Sequence, residues 1–154
     1  MYKVFIPSIN RAGITSTDKL FKNPIMVVPQ RQVEDYKKHN KDVLGCPDEI
    51  KGITPTRNFI LNYCKENGIK QHIQIDDDIK YFFKHEANKT IRDVPPETFW
   101  QLLEHMFLLT GEWGGRCFGL KLREDKKDYR EYGPFPTLCV IGANTVSYTH
   151  LKLP

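Results

Sequence analysis

The 154-residue chain contains no H-x-x-x-H pair, no C-x-x-C pair and no apolar run approaching membrane-spanning length. A zinc-protease site, a zinc ribbon and a spanning helix are thereby excluded. Cys46, Cys64, Cys117 and Cys139 are few and irregularly spaced, so a disulfide scaffold is excluded too, and reduced, mostly buried thiols are expected. His39, His72, His85, His105 and His150 share no metal-ligand spacing. Excess charge is also scarce: Lys and Arg outnumber Asp and Glu by 23 to 19, a balance compatible with a nucleotide or nucleic acid partner without selecting one. Internal repeats and low-complexity segments are missing. The opening MYKVFIPS enters a strand within three residues of the methionine; it leaves no room for a signal peptide, and a cytoplasmic protein is expected.

What is present is a core-forming composition, 40% hydrophobic and 12% aromatic, at a length that suits one domain. Short apolar runs recur at KVFIPS, IMVVPQ, DVLGCP and HIQIDDDI, separated by helix-compatible stretches. TDKLF reads as a short helical piece. QRQVEDYKKHN places Val33, Tyr36 and Lys37 on one helix face, and PTRNFILNYCKENG reads as a helix capped by Thr54, with Pro55 at its first position and Gly68 as its stop. PPETFWQLLEHMFLLTGE reads as a helix starting at Pro95 or Pro96 and burying Phe99, Leu102, Leu103, Met106 and Leu109. RCFGLKL and TLCVIGAN read as strands around a charged loop, REDKKDYREYG.

This alternation predicts an α/β fold with a mostly parallel central sheet and flanking helices. Such sheets bind ligands beyond the carboxyl ends of their strands. Pro7, Ser8, Asn10 and Arg11 follow the first strand, Pro29 and Gln30 the second, Pro47 to Arg57 the third, and Asp76 to Asp78 the fourth, so one rim collects them all.

The run IDDDI on that rim poses an electrostatic problem. Strand alternation continued through it puts Asp76 and Asp78 on one face with His72 and Gln74, and turns Asp77 inward to bond backbone amides. In a regular strand the outer two would lie about 6.6 Å apart and repel by roughly 2 to 3 kcal/mol at an effective dielectric of 20. Either open water in a polar turn or a divalent cation relieves this. Mg²⁺ or Mn²⁺ takes oxygen ligands, often one or two carboxylates with water and phosphate oxygens. On that reading Asp78 ligates directly, and Asp76 acts through water or a ribose hydroxyl.

Arg11 and Arg57 offer planar forks suited to diphosphate oxygens, and equally to surface salt bridges; the expected helix start puts Arg57 in the first turn, where free amides favour anions. Gly52 is either an ordinary loop glycine or a close approach of backbone to ligand. Thr56 and Asn58 either bond base or ribose, or cap the helix.

VFIPSINRAG, GITPTRNFIL and IQIDDDI, in this order within residues 3 to 79, resemble the nucleoside loop, the nucleotide-facing helix start and the DXD metal motif of GT-A (Rossmann-like) glycosyltransferases. More narrowly, the combination resembles phage-associated TET-associated glycosyltransferases, which glycosylate modified bases in DNA. The resemblance implies a metal-dependent enzyme that moves a sugar from a nucleotide diphosphate sugar to an acceptor hydroxyl, with a hydroxymethylated base in phage DNA as acceptor and host cytoplasm as location. It implies nucleotide binding by Pro7, Ser8, Arg11, Gly52, Thr56, Arg57, Asn58 and Asp76, and binding of Mn²⁺ or Mg²⁺ by Asp76 and Asp78. The catalytic base is unassigned among Glu86, Glu112, Asp125 and Asp128. Two other readings use the same residues: a metal-dependent nucleotidyltransferase and a non-catalytic nucleotide-binding module.

VSYTHLKLP, from Val146, reads either as an alternating strand or, because it resembles a frame of a sequencing-library adapter, as a non-native tail. The second reading divides the chain into a single domain over 1–145 and a tail over 146–154. Residues 3–79 are then the nucleotide- and metal-binding half, 80–145 the start of an acceptor half, and the native protein is expected to continue past Thr145.

Overall fold

The computed structural model describes residues 2–82, 84–86, 89–91, 94–119 and 145–148. Four parallel strands form its centre: β1 (Lys3–Pro7), β2 (Pro24–Pro29), β3 (Asp42–Cys46) and β4 (Gln71–Gln74). They lie in the order β3-β2-β1-β4. The chain therefore steps outward from β1 to β3 and then crosses to the opposite side of β1. This reversal opens a crevice beyond the carboxyl ends of β1 and β4, the usual place for a ligand in an open α/β sheet.

Two antiparallel strands extend the β4 edge, β7 (Cys117–Gly119) and β8 (Thr145–Tyr148), with β8 between β4 and β7. Val146 thus sits opposite Ile73, and residues 146–148, set apart above for their adapter-like word, occupy a strand. A small hairpin pairs β5 (Lys84–Glu86) with β6 (Lys89–Ile91). TLCVIGAN up to Asn144 and the whole of REDKKDYREYG lie outside the described residues.

Successive side chains of the central strands point to opposite faces, and both faces are covered. Val4, Ile6, Met26, Val28 and Ile73 point to one face and join Val33 and Tyr36 of α1 (Val33–Lys37) and Phe99, Leu103 and Phe107 of α3 (Pro96–Glu112). Phe5, Val27 and Cys46 point to the other and meet Ile60 and Cys64 of α2 (Ile53–Glu66). Each such side chain, fully buried, contributes about 1.5–3 kcal/mol. Cys46 and Cys64 are buried free thiols, as expected, whereas Cys117 is exposed.

Three expectations about the helices are corrected. α2 begins at Ile53 with Gly52 as its cap, so Pro55 is the third helical residue and Thr54 is not the cap. A proline is tolerated there because first-turn amides have no partner within the helix. Arg57 consequently sits in the second turn, beyond the free amides. In α1 Val33 and Tyr36 are buried but Lys37 is exposed and ion-paired with Glu34. In α3 the fully buried stripe is Phe99, Leu103, Phe107 and Thr110, while Leu102 is exposed and Met106 only partly covered. The stripe follows the direction in which the sheet approaches, which periodicity alone leaves rotationally ambiguous on so apolar a helix.

Phe82 stacks on Phe99 with ring centroids 3.5 Å apart, and Phe21 meets both edge-on. Trp100 donates its indole N–H to the Leu20 carbonyl at 3.1 Å. These contacts fasten α3 to the segment before β2 and to the segment after the aspartates.

Truncating Leu103, fully buried, to alanine is expected to lower unfolding free energy by about 2–5 kcal/mol, read from urea denaturation. His72 lies fully buried under the α2 layer, and desolvation pushes its pKa from 6.5 down to about 4. The unfolded chain then binds a proton first as pH falls, so this contribution is whole above about pH 6.5 and is lost progressively toward pH 4, by about 3 kcal/mol at most. Urea midpoints measured across that window should fall with acid in the parent and show less of this slope in His72→Gln.

Candidate functional site

The aspartate run is a turn and not a continuation of the strand. β4 ends at Gln74, and Asp77 and Asp78 form the turn that follows, so the strand-based spacing of Asp76 and Asp78 does not apply. Thr17, buried at the start of a short 3-10 helix (Thr17–Leu20), fixes the turn. Its hydroxyl donates to the Asp76 carbonyl at 2.6 Å and accepts the Ile79 N–H at 2.8 Å. The backbone N–H groups of Ser16 and Thr17 both donate to the Asp77 carbonyl. No sequence pattern had singled out Thr17 for this role.

The turn gives three adjacent carboxylates three environments, with side-chain exposures of 31% for Asp76, 13% for Asp77 and 65% for Asp78. The expected bonds from the Asp77 side chain to backbone amides are not found among the described residues. That side chain accepts from the Ser8 hydroxyl and from the Arg11 guanidinium, the latter at 2.8 Å. Ser8 in turn lies 2.8 Å from the Tyr36 hydroxyl, which accepts the Arg11 N–H at 2.9 Å. Because Ser8 gives its proton to Asp77, Tyr36 donates to Ser8, and the chain runs Arg11 N–H, Tyr36, Ser8, Asp77 with one direction throughout. Charge-assisted and polarised in sequence, such a chain holds its members more firmly than separate bonds would. Tyr36 had been read only as a buried helix residue; a phenol facing a strand end carries no sequence mark of its own.

Asp76 pairs with Arg57 at 2.8 Å. Burial nevertheless raises its pKa; the Arg57 guanidinium opposes that shift, and the Asp78 and Asp77 charges add to it. Arg57 therefore faces a carboxylate of its own protein, and Arg11, 3.8 Å from Asp78 as well as bonded to Asp77, does the same.

A cavity of about 570 Å³ extends from the aspartates along the strand ends toward β3, within the size range of small-molecule sites. Pro7, Ser8, Arg11, Gly52, Thr56, Asp76 and Asp78 line it together with Asp77. Arg57 stands behind Asp76 and does not line it, and Asn58 is exposed on α2 away from it. Gly52 has φ 92°, a left-handed conformation costly for other residues. Thr56 turns its hydroxyl back to the Gly52 carbonyl at 2.9 Å, as part of the helix start.

Among the described residues no group of three or more His, Cys, Asp or Glu side chains is arranged to hold an ion. Asp78, exposed, and Asp76, paired with Arg57, both line the cavity, and their hard oxygen donors suit Mg²⁺ or Mn²⁺ with the remaining positions filled by water and phosphate. Of the unassigned base candidates, Glu112 lines a separate cavity with Tyr2 and Gln71, beside the amino ends of β1 and β4, far from the crevice. Asp125 and Asp128 lie outside the described residues, as does the side chain of Glu86.

A family model, TET-Associated Glycosyltransferase, matches residues 2–147. The chain belongs to that glycosyltransferase family. Neither the curated proteins nor the solved structures give a significant match.

The three environments separate by mutation. Asp77→Ala, which strands the Ser8 hydroxyl and the Arg11 guanidinium, is expected to cost about 2 kcal/mol of stability, whereas Asp78→Ala should stay within about 0.5 kcal/mol. Denaturant titration of both variants checks this; equal losses would contradict the assignment of Asp77 as the anchored member.

Proposed function

We propose that this chain is a metal-dependent glycosyltransferase that moves a sugar from a nucleoside diphosphate sugar to an acceptor hydroxyl, the acceptor being a hydroxymethylated base in DNA. The family supports the reaction class. The observation that carries the finer reading is the cavity at the β1/β4 reversal, with one anchored carboxylate, Asp77, flanked by two that face the ligand space. A mild excess of basic residues is compatible with DNA as acceptor.

In this reading Asp78 ligates Mn²⁺ or Mg²⁺, and Asp76, oriented by Arg57, reaches it through water or bonds a ribose hydroxyl. The ion, when bound, supplies Lewis-acid neutralisation of the departing diphosphate. Arg11, nearly half exposed at the crevice mouth, is placed to turn a guanidinium N–H toward a phosphate oxygen while its backbone N–H keeps the bond to Tyr36. Gly52 exposes the first amides of the 14-residue helix α2 to the same phosphates. Transfer breaks the bond between the anomeric carbon and the diphosphate oxygen and forms one to the acceptor oxygen, whose proton leaves to a base still to be assigned. The arginines thus divide their work, Arg57 positioning a carboxylate and Arg11 meeting the ligand.

Isothermal titration of nucleoside diphosphates with and without Mn²⁺ tests the site. Affinity is expected to depend on the metal and to fall at least about tenfold in Asp78→Ala. Incubation of labelled nucleotide sugars with hydroxymethylated DNA should then label the DNA and release nucleoside diphosphate. Metal-independent binding, or binding unchanged in Asp78→Ala, contradicts the metal site; release of pyrophosphate would indicate nucleotidyl transfer.

A further inference from the structure

The cavity has a second end that neither the aspartates nor α2 explains. Beyond the carboxyl ends of β2 and β3 it is lined by Arg31 and Asp48, which form an ion pair at 2.8 Å. The pair is partly exposed, and among the described residues only the Oδ1 oxygen of Asp48 is engaged, by Arg31. Between this pair and the aspartates the lining is largely apolar. Ile9 and Ile53 both face the cavity, yet they are 54% and 50% exposed, among the most exposed large apolar side chains of the described residues. A planar base laid against them would take their apolar surface out of water, at about 25 cal/mol per Å².

The spacing suits a nucleotide. From β4 to β3 there are three strand intervals, or about 14 Å at the usual 4.7–4.9 Å each. That span takes an extended nucleoside diphosphate with its phosphates at the aspartates and its base between the isoleucines, the edge of the base reaching Arg31 and Asp48.

From this geometry we infer that Arg31 and Asp48 read the nucleobase, and that they select one with a ring N–H beside a carbonyl: uracil, thymine or guanine. The inference rests on the nucleotide-site reading given above and adds the base class to it. Asp48 accepts only, and with Oδ1 taken by Arg31 its Oδ2 is left for the ring N–H. Arg31 donates only, and after bonding Oδ1 it keeps further N–H groups for the neighbouring carbonyl. Cytosine and adenine present an unprotonated ring nitrogen at the same position, so the carboxylate would meet a lone pair. A polar pair left facing the wrong group discriminates more strongly than a missing apolar contact does.

The test is isothermal titration of the full chain, in saturating Mn²⁺, with UDP, dTDP, GDP, CDP and ADP. At least one of the first three is expected to bind roughly tenfold or more tightly than both CDP and ADP, and the comparison among them identifies the base. Asp48→Asn, whose amide offers an N–H to a bare ring nitrogen, should weaken the preferred nucleotide and abolish the preference while CDP binding holds or improves. Arg31→Gln should weaken the preferred nucleotide without improving CDP. Equal binding of all five, preference for CDP or ADP, or a preference unchanged in Asp48→Asn overturns base reading by this pair and leaves the nucleotide site standing. Failure of every nucleotide to bind overturns both.

Discussion

Three carboxylates on consecutive residues can share one rim only if their charges are separated in space or compensated, and the anchoring of Asp77 is what makes this possible. Through Ser8 and Tyr36 it ties the end of β4 to the end of β1 and to α1, and through Arg11 it brings a cation to the crevice mouth. Thr17 holds the same turn from its backbone side. With the middle residue fixed, the outer two are directed apart, one toward α2 and Arg57, the other toward open space. The repulsion that appears prohibitive in the bare sequence is thus divided among two guanidinium groups, a hydroxyl and solvent.

This arrangement also explains how a rigid sheet serves a charged ligand. The strands beneath the crevice are buried on both faces and cannot yield without loss of packing. The groups that meet a ligand stand instead on the turn after β4 and the loop after β1, where backbone bonds from Ser16, Thr17 and Ile75 set their position and only side-chain ends remain adjustable. Asp76 is the least comfortable member, since burial and two neighbouring negative charges act against one arginine.

Much of this was legible beforehand. The apolar runs KVFIPS and IMVVPQ identified strands, and the strand-end positions of Ser8, Arg11, Gly52 and Asp76 followed from chain order, because parallel strands place their carboxyl ends on one rim. The motifs had suggested the glycosyltransferase family that the matched residues 2–147 establish. Other features could not be read. Helix α2 starts at Ile53, two residues before its expected first residue Pro55, because Gly52 can adopt a positive φ, which removes Arg57 from the first turn. Leu102 is as apolar as Leu103 but faces away from the sheet.

The sequence by itself determined which segments form the central parallel strands and in what order they carry polar residues to their ends, since local pattern and chain connectivity suffice for these. Only the tertiary structure decided that the aspartates leave the strand as a turn, which of them is anchored and which is open, that Arg11 and Arg57 both face carboxylates, that Thr17 and Tyr36 hold the turn and loop in place, and that Arg31 meets Asp48. Those outcomes depend on contacts between residues up to 69 positions apart, and side chains brought together across such separations leave no periodicity or spacing along the chain from which their meeting could be inferred.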